Sequence, residues 1–127
     1  MGRKIVKFLL DSNILIYHLN GENIATEFIA ENSEKCAISR ITYIEVLSFE
    51  LTPEEENRIK ELLESFTIID TNREIAFQCI KNRKERKIKV PDNIIVSTAQ
   101  VYDLQIVTRN TSDFISLDTR LLDIFDM

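Results

Sequence analysis

The chain has 127 residues, 44% of them hydrophobic, two cysteines and a formal net charge of −5 at neutral pH. One domain of this length buries roughly two-thirds of the surface its unfolded chain exposes, so folding needs no disulfides. Cys36 and Cys79, both in apolar-patterned segments, read as buried free thiols suited to a reducing cytoplasm. The N-terminal stretch MGRKIVKFLLD is too short an apolar run for a signal peptide or membrane span, and no Gly-x-x-x-x-Gly-Lys or Gly-x-Gly-x-x-Gly loop is present to cradle nucleotide phosphates.

Only two glycines and two prolines punctuate the sequence, and no repeat or low-complexity linker divides it, so residues 1–127 are expected to form a single domain. In chain order, KIVKFLL, CAIS, FTII and LQIVT read as short buried strands. Helical patterns run from about Asn13 to Asn20, Glu22 to Asn32, Ile41 to Glu50, Pro53 to Ser65, Asn72 to Lys87 and Asp92 to Tyr102. Alternation of this kind implies an α/β fold in three layers, a central parallel sheet flanked by helices. The segment LTPEEENRIKELLESF carries the plainest helix start: Thr52 can cap, Pro53 suits the first helical position and Glu55 completes a capping box. Ile59, Leu62, Leu63 and Phe66 form its inward stripe. In DNIIVSTAQVY, three β-branched residues favour a strand, but length and the Ile95, Ala99, Tyr102 spacing favour a helix.

Four carboxylates stand as the only charge in their windows. Asp11 is alone from Phe8 to Leu19, Glu45 in ITYIEVLSF, Asp92 from Val90 to Tyr102 and Asp113 from Asn110 to Leu117. A near-repeat supplies a control, because IIDTN at residues 68–72 resembles LLDSN at residues 9–13. Asp70 has an ordinary task at a helix start, where Thr71 and Glu74 have capping-box spacing, whereas nothing three residues beyond Asp11 or Ser12 could complete a reciprocal cap. Asp70 is therefore expected to be structural and Asp11 functional.

In open α/β sheets, ligands bind beyond the carboxyl ends of the strands. Asp11 follows the first predicted strand, Asp113 lies just beyond the last, Asp92 opens a helix, and Glu45 is expected to face inward from the helix after the second strand. Two carboxylates about 4 Å apart repel by roughly 4 kcal/mol at an effective dielectric near 20, so such a cluster calls for a cation. An all-oxygen ligand set suits Mg²⁺ or Mn²⁺.

These pieces resemble the PIN-domain family, and most closely its VapC-type ribonuclease toxins. LLDSNILIYHLNG, ISRITYIEVL and VPDNIIVSTAQVYDLQIVTRNTSDF carry the likeness in the family's order across nearly the whole chain. The resemblance implies a PIN fold and a metal-dependent endoribonuclease whose acidic quartet is Asp11, Glu45, Asp92 and Asp113. Asp11, Asp92 and Asp113 would hold the metal, while Glu45 would be a ligand or orient the attacking water. Ser12 stands where the family commonly has threonine. Asn13, Thr108 and Asn110 match polar positions near the site, and some relatives carry a further acid around Asn110. The resemblance also implies a VapB-type antitoxin as partner and a toxin homodimer.

A metal-free ribonuclease would ordinarily use histidines as acid and base, and the chain has only His18, read as a plain helix residue. Residues 81–89, KNRKERKIK, carry a local charge of +5, which leaves the rest of the chain at −10. That stripe either forms a solvated helix face or, through Arg83, Lys84 and Lys87, holds RNA phosphate just upstream of Asp92. The rival from another class is a catalytically silent PIN-like scaffold binding RNA or protein.

Overall fold

Alternating apolar side chains on very short strands feed both faces of a central sheet. The structure is a computed structural model that describes residues 5–114 and 117–126. Its strands are β1 (Phe8–Leu10), β2 (Cys36–Ser39), β3 (Thr67–Ile69), β4 (Gln105–Val107) and β5 (Leu121–Leu122). Its α-helices are α1 (Ser12–Leu19), α2 (Asn23–Asn32), α3 (Arg40–Leu47), α4 (Pro53–Glu64), α5 (Arg73–Glu85) and α6 (Val90–Tyr102). Single 3₁₀ turns at Ser33–Lys35, Thr111–Asp113 and Ile124–Asp126 complete the chain order.

The sheet runs β3-β2-β1-β4-β5 and every pairing is parallel. Leu10, Ile38 and Val107 point to one face, where they pack with Ile14 and Leu15 of α1, Ala25 and Ile29 of α2, and Ile59 and Leu63 of α4. Leu9, Ala37 and Ile106 point to the other, against Ile95, Val96 and Ala99 of α6, with Ile88 and Phe114. This is the three-layer arrangement expected, and the alternation places each face under its own core.

Helix starts follow local chemistry. The Thr52 hydroxyl accepts from Glu55 N at 3.2 Å while Glu55 accepts from Thr52 N at 3.0 Å, the predicted capping box ahead of Pro53. Ile59, Leu63 and Phe66 are buried and Leu62 half-buried, as the stripe required. The helix start after β3 is capped differently from expectation: Asn72 Oδ1 accepts from Ile75 N at 2.9 Å. Asp70 instead pairs with Arg40, Nε to Oδ1 at 2.5 Å.

Other differences are small. The first strand is shorter than KIVKFLL, though Gln105 N still donates to Lys7 O at 2.9 Å; Lys4 lies outside the described residues. Strand β5 was not foreseen. Tyr102 is exposed rather than part of the buried stripe, and its hydroxyl accepts from Asn72 Nδ2 at 2.8 Å. Cys36 is buried but Cys79 only half-buried, and both thiols are free.

Candidate active site at the carboxyl edge of the sheet

Strand order decides where the chemistry gathers. Chain connections leave β1 toward β2 on one side while β4 pairs on the other, so the carboxyl ends of β1 and β4 form a topological switch point. Asp11 is the first residue past β1, and its N–H donates to Val107 O at 2.9 Å, which anchors it to β4. With φ −73° and ψ 155° it is the extended N-cap of α1. One carboxylate oxygen accepts from Ser12 N and the other from the Thr108 hydroxyl, both at 2.8 Å. Asp11 does cap a helix, then, but without the reciprocal partner of a capping box, and it is only 8% exposed.

Burial pushes the Asp11 carboxyl above the usual carboxylate range; the hydrogen bonds from Thr108 and Ser12 oppose the shift, and the charges of Asp92 and Glu45 add to it. Thr108 is fully buried and saturated: while donating to Asp11 it accepts from Asn13 Nδ2 at 3.3 Å and Asn110 N at 3.0 Å. The side chain of Asn13 is thereby fixed, leaving its buried Oδ1 without a hydrogen-bond partner among the described residues. Asn110 contributes through its backbone, and its exposed side chain is not part of this network.

The remaining acids arrive from three other elements. Glu45 is exposed on α3 rather than inward-facing, and it reaches the site by accepting from the Ser12 hydroxyl at 2.6 Å. Asp92 lies half-buried in the first turn of α6, its carboxyl raised by burial and then by the charges of Asp113 and Glu45, against a smaller opposing effect of Lys89. Asp113 is exposed at the end of the Thr111–Asp113 turn, and its N–H donates to Asn110 O at 3.1 Å. The four predicted acids thus share one electrostatic neighbourhood. Among the described residues, the ion pairs are Arg40–Asp70 and Arg120–Asp103, neither of which involves them.

Those acids do not converge into a closed cage: among the described residues no three acidic, histidine or cysteine side chains stand close enough to enclose an ion. Burial first, and then the charges of the neighbouring acids, account for the raised Asp11 and Asp92 carboxyls. The donor set nevertheless fits a hard divalent ion, being all carboxylate oxygen with the orphaned Asn13 Oδ1 in the same network.

Sequence reasoning missed Thr42, buried on α3 with its hydroxyl 3.3 Å from Ser12 Oγ. Its signal was present, because Thr42 lies three residues before Glu45 and so on the same helix face. The basic stripe ends α5 and fills the turn into α6, with Arg83, Lys84 and Lys87 all exposed. Arg83 is partly committed, since it donates to Ile88 O at 3.2 Å. His18 is a helix residue whose Nδ1 lies 2.8 Å from the Thr26 hydroxyl.

The PIN domain family matches residues 8–119, from β1 through the acidic edge. The chain belongs to the PIN-domain family. Ribonuclease VapC2 of Methanocaldococcus jannaschii is 31% identical to this PIN domain, over 88% of the chain and 89% of the relative. In a toxin-antitoxin complex from Klebsiella pneumoniae, one chain superposes with a TM-score of 0.83 at 35% identity, covering 93% of this chain and 98% of that one. A chain of DNA-bound VapBC from Salmonella typhimurium shares the PIN fold at 24% identity, with a TM-score of 0.82 over 94% of this chain and 99% of that one.

Proposed function

We propose that this PIN domain is an endoribonuclease that hydrolyses RNA phosphodiester bonds with Mg²⁺ or Mn²⁺, and that it is the toxin of a VapBC-type toxin-antitoxin pair. The observation that carries the reading is the double clamp on Asp11, a buried carboxylate fixed through both oxygens at the switch point, with the charges of Asp92 and Glu45 acting on it and that of Asp113 acting on Asp92. The ribonuclease relative and the toxin-antitoxin complex support the activity and a VapB-type antitoxin as partner. A homodimer, a cytoplasmic location and a single domain over residues 1–127 belong to the same proposal. Among the described residues, no helix is long and apolar enough to cross a membrane.

Asp11, Asp92 and Asp113 would hold the cation. When bound, a divalent ion supplies charge that neutralises the scissile phosphate and acidifies the attacking water. The chain's own contribution is preorganisation. Thr108 and the Ser12 N–H keep the Asp11 carboxylate in one orientation and favour its ionised form. The Ser12 hydroxyl holds Glu45 at the rim, where its carboxylate can orient or deprotonate water. Lys84 and Lys87, with Arg83, would attract the RNA backbone to a molecule otherwise negative.

The test is cleavage of a mixed RNA pool with Mg²⁺, Mn²⁺ or chelator. Cleavage that needs the metal and disappears in Asp11→Asn supports the proposal. Intact RNA with either ion would leave the silent scaffold as the better reading.

A further inference from the structure

Arg109 stands two residues beyond β4, directly after the Thr108 that clamps Asp11. Its guanidinium lies 4.5 Å from the centroid of the Phe125 ring and 5.3 Å from that of Tyr17. Those two rings pack edge to face at 5.1 Å, so the arginine rests on a built aromatic platform contributed by α1 and the Ile124–Asp126 turn. Arg109 is exposed, and among the described residues its side chain makes no hydrogen bond or ion pair, although acids surround this edge of the sheet. A stacked guanidinium keeps its N–H edge free, in a plane that matches phosphate oxygens.

Placement gives this cation a purpose. Tyr17 and Phe125 belong to the α1 face of the sheet, whereas Ile88, between the stripe residues Lys87 and Lys89, packs on the α6 face. The two positive features therefore lie on opposite faces, with Asp11 at the sheet edge between them. We propose that Arg109 is an RNA-contacting residue that grips a backbone phosphate on the α1 side of the acidic site, so that the strand crosses the sheet edge from the α5–α6 turn to the Tyr17–Phe125 platform. This inference rests on the ribonuclease reading and adds a second point of attachment to it.

The experiment measures binding of a fluorescein-labelled single-stranded RNA to Asp11→Asn, alone and combined with Arg109→Met or Arg109→Lys, by anisotropy across a salt series. Methionine keeps an apolar stem on the two rings and removes the charge, while lysine keeps the charge and loses the planar stack. One phosphate contact on a single strand contributes about 0.7 to the slope of log affinity against log salt. Arg109→Met is expected to flatten the slope by about that amount and to weaken binding at low salt, with Arg109→Lys retaining the parent slope. Melting curves of each variant check that the platform survives. A parent that cleaves RNA beside an Arg109→Met slope equal to that of the Asp11→Asn reference overturns this inference alone, and the arginine is then a latch between β4 and the Ile124–Asp126 turn. A parent that neither cleaves nor binds RNA overturns the ribonuclease reading and this inference with it.

Discussion

Replacing Thr108 with valine removes one hydroxyl and almost no volume, yet that hydroxyl makes three hydrogen bonds at the centre of the site. The bond to Asp11 has a charged acceptor, worth about 1.5–3 kcal/mol, and Asn13 Nδ2 and Asn110 N lose an acceptor as well. A total near 3 kcal/mol corresponds, for a chain of this size, to a fall in melting temperature of roughly 10 °C. Thr108→Ser keeps all three bonds and loses one buried methyl, about 1 kcal/mol. The expected order of stability at neutral pH is parent, serine, valine.

Activity separates the variants further, because the Thr108 bond is the larger of the two hydrogen-bond effects opposing the raised Asp11 carboxyl. Without it the folded-state pKa moves higher still, while the unfolded value stays at the usual one. The folded valine variant therefore holds its proton to higher pH than the parent, so its stability deficit grows as pH rises, whereas its loss of cleavage through protonation is largest at acidic pH and narrows as pH rises. Below the unfolded carboxylate range Asp11 is neutral in both states and the deficit narrows. Calorimetry in chelator and RNA cleavage rates from pH 4 to 8 measure the two effects. A Thr108→Val protein that melts within 2 °C of the parent, a difference well under about 1 kcal/mol, and cleaves at its rate would refute the clamp as drawn.

The near-repeats give a second contrast: Asp11→Asn and Asp113→Asn should abolish metal-dependent cleavage, while Asp70→Asn loses only an exposed, solvent-screened pair with Arg40 and should cleave normally. An inactive Asp70→Asn beside an active Asp11→Asn would reverse the assignment. Charge reversal at Arg83, Lys84 and Lys87 should raise the RNA concentration needed for half-maximal cleavage and flatten the salt slope by up to about 2 if all three touch phosphate. Because Arg83 already donates to Ile88 O, Lys84→Glu and Lys87→Glu should carry most of it, and an unchanged slope would return the stripe to a solvated helix face.

LLDSN and IIDTN also explain how far sequence could reach. Locally the two look alike, and the difference in fate comes from strand order. β1 lies between β2 and β4, so the residue after it is enclosed by neighbours on both sides; β3 is an edge strand, so Asp70 meets solvent and Arg40. Charge isolation in the sequence detected this indirectly, since an acid destined for burial sits in an apolar run. Capping was less legible: the spacing of Thr71 and Glu74 satisfied the pattern, but Asn72 lies closer to the first turn and took the bond. Strand β5 has two residues, Leu121 and Leu122, bracketed by Arg120 and Asp123, and only pairing with β4 makes it a strand. Thr42 and the Arg109 platform depend on contacts between distant elements, which no local pattern encodes.

The proposed role of Asp92 as a metal ligand ties stability to metal binding. Its folded-state carboxyl lies above the ordinary value of 3.8 through burial and the charges of Asp113 and Glu45. The folded chain thus binds more protons than the unfolded one between those two values, and stability falls as pH rises through that window. At neutral pH the full penalty is present, so Asp92→Asn should melt higher than the parent in chelator and match it near pH 3. One effect opposes this: Asp92 lies in the first turn of α6, where Lys89 offers no side-chain cap, and a carboxylate there gains about 0.3–1 kcal/mol from the helix dipole. Burial, and then the charges of Asp113 and Glu45, oppose that gain. Metal should then invert the order. At a hundred times the dissociation constant, Mg²⁺ or Mn²⁺ stabilises the parent by about 2.7 kcal/mol and the variant much less. Four melting curves per protein decide the matter: chelator, Mg²⁺, Mn²⁺, and Na⁺ matched for ionic strength. Equal responses of parent and Asp92→Asn to the divalent ions would mean that Asp92 is no part of a shared metal site, and the proposed chemistry would lose its physical basis.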